Sequence, residues 1–189
     1  KGRLGDFMAR DPDLGEWRAP GFVFRTAGFF TGVRDVLRNP KKVLEDLGIK
    51  SGFSVLDFGC GPGNFTIAAA EIVGKDGEIH ALDLHPLALE TIEKKAERRG
   101  LKNVDTIFSD LETGLGNGSV DAALLYGVLY KTGDKRALIR EMRRILKPGG
   151  LVSISGYRMS KDRLMGMMKG ERFSLRDSKR GILNFTKRR

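Results

Sequence analysis

Asp57 stands two places before the first of three alternating glycines, Gly59, Gly61 and Gly63, in the run Val55-Leu-Asp-Phe-Gly-Cys-Gly-Pro-Gly-Asn64. A glycine has no Cβ, so it turns where other residues are strained and lets a ligand lie against the backbone. The apolar stretch Phe53–Phe58 before these glycines reads as a buried parallel strand. The segment Phe65–Val73 after them reads as an apolar helix. A strand, a glycine turn and a helix in that order make a small-molecule binding device at the carboxyl edge of a sheet. The dinucleotide fingerprint needs a glycine at its sixth position, and counting from Gly59 or Gly61 reaches Asn64 or Thr66 instead. A phosphate-binding P-loop fails as well, because no Lys-Ser or Lys-Thr follows the glycines.

Further acidic residues fall where strands should end. Gly77–Leu84 reads as a second strand carrying Asp83 near its end, and Val104–Asp110 as a third strand ending in Ser109-Asp110. Val120–Tyr126 reads as a fourth. Arg143-Arg-Ile-Leu-Lys-Pro-Gly-Gly150 followed by Leu151–Ser155 reads as a helix running into a fifth. This set, in this order over residues 48–155, resembles the class I S-adenosylmethionine-dependent methyltransferases. In flavour it is nearest to their small-molecule branch, the ubiquinone- and menaquinone-biosynthesis-like members.

The resemblance implies a doubly wound α/β three-layer sandwich, with a seven-stranded, mostly parallel sheet and an antiparallel last strand. It implies S-adenosylmethionine as cofactor and S-adenosylhomocysteine as product. Gly59, Cys60, Gly61 and Gly63 would line the methionine half, with Asp57 ordering that loop and facing the cofactor's amino group. Asp83 and the adjacent Leu84 would hold the ribose side, Asp110 and Leu111 the adenine. Tyr126 would border the sulfonium.

A catalytic base is not assigned, and Tyr126, Tyr130 and His85 are the candidates. An Asp after a strand is often only a turn or capping residue, and the spacing of the set weighs against that for Asp83 and Asp110. Cys60 lies inside the turn with no base in sight, which suits packing better than nucleophilic attack. His80, His85 and one Cys make no metal-ligand cluster, so no metal is expected. The Asp/Asn-Pro-Pro-Tyr motif of methyltransferases acting on amino groups of bases or glutamine is absent. The place reads Leu125-Tyr-Gly-Val-Leu-Tyr130, followed by Lys131 and Thr132 where many small-molecule relatives carry His.

The elements that must position these residues alternate regularly. Pro86–Arg99 and Lys135–Leu146 read as helices, the latter with Leu138, Met142, Ile145 and Leu146 on one stripe and four arginines elsewhere. Glu112–Ser119 is a glycine-rich loop in place of a long helix. Met159–Met168 connects the fifth strand to a closing pair, Arg172–Leu175 and Ile182–Lys187. Residues 48–189 form the cofactor-binding domain, and residues 1–47 a helical extension. That extension carries Phe22, Phe24, Phe29 and Phe30, which suit a lid over the cavity, packing against the core or a peripheral membrane contact through residues 21–30.

At 189 residues with 40% apolar content the chain reads as a soluble globular protein. It has no run long enough to span a membrane. Its single cysteine suits a cytoplasmic setting. Charge is uneven: residues 158–189 hold 11 Lys/Arg against 3 Asp/Glu, a net of +8, while residues 51–157 hold 13 against 14. With the full set of cofactor positions and no nucleic-acid signature in residues 51–157, a small-molecule acceptor is expected. RNA held by the basic segment is the alternative, and a cofactor-binding module without methyl transfer a third reading.

Overall fold

The computed structural model describes residues 39–188, and the expectations placed on residues 1–38, including the aromatic lid, lie outside them. Helix α1 (Pro40–Leu47) opens on Asn39, whose side chain accepts from the Lys42 N–H at 3.1 Å, and closes at Gly48. Strand β1 (Ser54–Phe58) leads through the glycine turn to α2 (Asn64–Val73) and a short 3-10 turn, Gly74–Asp76. Then follow β2 (Glu78–Asp83), α3 (Pro86–Arg98), β3 (Val104–Phe108) and β4 (Val120–Tyr126). The chain continues through α4 (Lys135–Ile145), β5 (Leu146–Ser155), α5 (Lys161–Gly170), β6 (Phe173–Lys179) and β7 (Ile182–Lys187).

The seven strands lie in the order β3-β2-β1-β4-β5-β7-β6. The first five in sequence are mutually parallel, and β7 is antiparallel to both β5 and β6. This is the expected seven-stranded α/β sandwich. Alternation along the strands supplies its two cores. Ala122 and Leu124 of β4 pack with Leu44 and Leu47 of α1 and Phe65, Ala69 and Val73 of α2. Ala123 and Leu125 pack on the other face with Leu138, Met142 and Ile145 of α4 and Leu164 and Met168 of α5. No helix among the described residues is long and apolar enough to cross a membrane.

Several boundaries shift by one or two residues from the sequence expectation, β3 ending at Phe108 rather than Asp110, and two differ in kind. Leu146 leaves the helix and opens β5, pairing with Val120, and a bulge absorbs Lys147-Pro-Gly-Gly before Leu151 pairs with Ala122. Strand β6 runs on to Lys179 rather than stopping at Leu175, because backbone pairing with β7 holds an edge strand whose side chains beyond Phe173 are mostly polar. Two arginines of α4 are tied within the fold. Arg144 pairs with Glu141 at 2.7 Å and reaches the Leu115 carbonyl in the loop that replaces the third helix. Arg140 lies within 4.0 Å of both Asp134 and Glu171.

Candidate active site

The order of strands reverses between β1 and β4, and the carboxyl ends on either side of that switch carry the chemistry-bearing residues. The three glycines of the first turn serve different ends. All have positive φ, at 73°, 52° and 78° for Gly59, Gly61 and Gly63. A Cβ on Gly59 would sit 2.7 Å from Val128 Cγ2, and one on Gly63 would sit 2.4 Å from Ile92 Cγ1. A Cβ on Gly61 would meet nothing within 4 Å. The outer two glycines let neighbouring elements close in, and the middle one faces open space.

Backbone bonds pin this turn. The N–H groups of Gly59 and Cys60 both donate to the Leu82 carbonyl, at 2.7 and 3.0 Å, and Gly63 N–H closes on the Cys60 carbonyl. The Cys60 side chain is buried with Ala81, Leu89 and Ile92, and burial pushes its thiol well above the ordinary range, so it is a packing group.

Two carboxylates hold the turn from opposite sides. Asp83 Oδ2 accepts from the Gly61 N–H and Oδ1 from the His85 N–H, each at 2.9 Å. A carboxylate offers about four acceptor positions, so Asp83 keeps capacity for two further donors while its orientation is fixed. Leu84, next to it, is 57% exposed, an apolar surface of the kind a planar base covers. Asp57 is only 4% exposed and accepts from Thr66 Oγ1 at 2.6 Å. Burial raises its carboxyl from 3.8 to about 6, the Thr66 bond opposing and the Asp83 charge adding to the rise. Sequence reasoning missed Thr66. Its one sequence sign is a hydroxyl two residues into the helix that follows the turn. Asp110 is exposed just past the end of β3, and the Leu111 N–H donates to Ser109 Oγ at 3.3 Å.

On the β4 side the tyrosines have settled partners. Tyr126 packs edge-on against Phe65 with centroids 4.5 Å apart. Its hydroxyl lies 2.7 Å from Ser153 Oγ, which donates to Asn184 Oδ1, and Asn184 in turn donates to Asp177. Burial pushes the Tyr126 hydroxyl upward, away from service as a base near neutral pH. Tyr130, beyond the strand, lies under the Arg158 guanidinium at 4.5 Å from the ring centre. His85 begins α3 beside Asp83, and its ring does not cap the helix. The structure thus gathers Asp57, Gly59, Cys60, Gly61, Gly63, Asp83, Leu84 and His85 at the ends of β1 and β2. Asp110 and Leu111 follow β3, and Tyr126 and Tyr130 stand beyond the switch.

In sequence and fold the chain is similar to known proteins. Residues 49–182 match the family described as "Methyltransferase domain". Demethylmenaquinone methyltransferase of Staphylococcus aureus (strain MRSA252) is 34% identical over 113 residues, covering 59% of this chain and 46% of that protein. The chain thus spans about half the length of the curated relatives it matches. Among solved structures, an S-adenosylmethionine-dependent methyltransferase from Aquifex aeolicus superposes with a TM-score of 0.72 at 22% identity, over 82% of this chain and 91% of that one. Coclaurine N-methyltransferase bound to N-methylheliamine and S-adenosylhomocysteine gives 0.54 at 27% identity, over 60% and 34% respectively. The open face at Gly61, the half-satisfied Asp83 and the exposed Leu84 fit the cofactor of those proteins. By its family match and its strand order, this chain belongs to the class I S-adenosylmethionine-dependent methyltransferases.

Proposed function

We propose that this domain transfers a methyl group from S-adenosylmethionine to a small-molecule acceptor by direct displacement. When bound, the cofactor supplies a methyl carbon already activated on a positively charged sulfur. What remains for the chain is to hold donor and acceptor in line and to keep water out, an orientation effect worth roughly 7–11 kcal/mol of barrier. The observation that carries the reading is the contrast within the turn: Gly61 alone of its three glycines faces open space, and Asp83 fixes its N–H.

In this reading the Gly61 backbone lies against the methionine half. Asp83 turns its remaining lone pairs to the two ribose hydroxyls. Leu84 covers the adenine, and Asp110 with the Leu111 backbone reads its edge. Asp57 acts through the turn, where Thr66 holds it, and its charge favours the cofactor's ammonium group. Tyr126 is a scaffold residue here, since Ser153 already engages its hydroxyl. A small-molecule acceptor is supported by the similarity to a demethylmenaquinone methyltransferase.

Isothermal titration with S-adenosylmethionine and S-adenosylhomocysteine tests the foundation. Micromolar binding of both is expected. No binding below millimolar concentration would end the reading.

A further inference from the structure

Charge is spread unevenly along the carboxyl edge of the sheet. At the ends of β1, β2 and β3 the carboxylates are Asp57, Asp83 and Asp110. Beyond β4 and β5, and at the β6–β7 turn, stand Lys131, Arg158, Lys161, Lys179 and Arg180, with Asp134 and Asp162 the carboxylates at the starts of α4 and α5. The hairpin belongs to the same edge because β6 runs parallel to β5, and Ile182 pairs with both Ser155 and Lys179. None of these five basic residues forms an ion pair with a carboxylate among the described residues. Elsewhere the fold does pair its cations, as with Lys147 and Asp121 at 2.8 Å.

One of the five is held in place. The Arg158 guanidinium lies 4.5 Å from the centre of the Tyr130 ring, and Lys131 Nζ lies 5.6 Å from the same centre. A guanidinium over an aromatic face keeps its N–H edge available, in a geometry that matches a carboxylate bidentately. The backbone at Arg158 is left-handed, with φ of 46°, two residues after Gly156 at 61°. Such a position favours glycine, yet it carries a long cationic side chain. At the end of β5 Ser155 is 2% exposed and its hydroxyl has no hydrogen-bond partner among the described residues. Buried polar groups seldom lack one, so this end of the sheet has one hydrogen bond still to make.

We infer that the edge beyond β4 and β5 is a subsite for an anionic acceptor, whose acidic group is received by Arg158 held over Tyr130. The inference rests on the methyl-transfer reading and adds the chemical class of the acceptor. The basic rim raises the local concentration of anions at the mouth, and Arg158 sets their orientation. Arg158 is a specificity residue, not one of the groups assigned to the cofactor.

The test uses benzoate as probe and benzyl alcohol as its neutral match. The full chain is saturated with S-adenosylhomocysteine and titrated with each while backbone and tyrosine-ring NMR shifts are followed. Benzoate should give saturable shifts at Tyr130 and Arg158 and bind at least tenfold more tightly than benzyl alcohol. R158A should weaken benzoate at least tenfold, R158K should restore part of it, and S-adenosylhomocysteine affinity should stay unchanged in both. Absent benzoate binding, equal binding of the alcohol, or indifference to R158A would each overturn the subsite. Sedimentation with phosphatidylglycerol vesicles is the second arm. Arg158-dependent vesicle binding without benzoate binding would assign the rim to a lipid surface and overturn it too. Failure of the wild-type chain to bind S-adenosylhomocysteine would refute the methyl-transfer reading itself and remove the acceptor role.

Discussion

Replacing Asp57 by Asn should remove a pH dependence that the fold carries in its core. The carboxyl titrates at an ordinary 3.8 in the unfolded chain and at about 6 in the folded one, chiefly because it is buried. Between those values the folded state binds more protons than the unfolded state, so stability falls as pH rises through the window. The carboxyl thus titrates about two pH units higher in the fold, which at about 1.4 kcal/mol for each is worth about 3 kcal/mol. Asn at this position keeps the shape and loses the charge. Urea denaturation of wild type and Asp57→Asn from pH 4 to pH 8 isolates the residue, since other groups cancel in the difference. Relative to the variant, the wild type should lose about 3 kcal/mol, most of it between pH 4 and pH 6. The affinity of S-adenosylmethionine should move the other way, rising through pH 6 in the wild type as the carboxylate forms beside an ammonium group, and staying flat in the variant. A stability difference that does not vary with pH, or that grows with pH in favour of the wild type, refutes the reasoning.

Gly61→Ala meets only the cost of a left-handed backbone, about 1–2 kcal/mol, and should weaken S-adenosylhomocysteine at least tenfold by titration. Gly63→Ala adds a contact at 2.4 Å from Ile92, and overpacking should bring its total loss to about 2–4 kcal/mol in urea denaturation. Asp83→Ala removes a charge-assisted pair of hydrogen bonds and should weaken S-adenosylhomocysteine by about 2–4 kcal/mol in the same titration. Tyr126→Phe should lower stability by about 1 kcal/mol and leave methyl transfer, assayed by homocysteine-linked product detection, within a few-fold of wild type. Abolished turnover in that variant with unchanged stability would make the hydroxyl catalytic.

Much of the sheet was legible because its strands announce themselves by apolar runs that end in glycine or aspartate, as Val55–Asp57 and Ile79–Asp83 do. The polar strand β6 was less so: Phe173 is its one buried side chain, and the rest of its length is set by pairing with β7, which no local pattern encodes. The start of β5 was misread because Lys147-Pro-Gly-Gly has the composition of a turn, yet it is a bulge between two paired segments. At the candidate site, type and spacing single out Asp57, Gly61 and Asp83 as candidates. They do not single out the contacts that arrange them. Val128 against Gly59, Ile92 against Gly63 and Arg158 over Tyr130 join residues from different crossovers. Only strand adjacency brings such pairs together.

Strand β7 enters between β5 and β6, although the chain makes it after both. During synthesis β6 therefore emerges before the strand that joins it to the sheet, and β5 waits with one edge bare. Its buried Val152 and Ile154 belong to the same core cluster as Leu183 and Phe185 of β7. Sheet closure is thus a late event that depends on distant parts of the chain meeting, which slows folding. Ribosome-bound chains that end before Ile182 would expose an open sheet edge and call on chaperones.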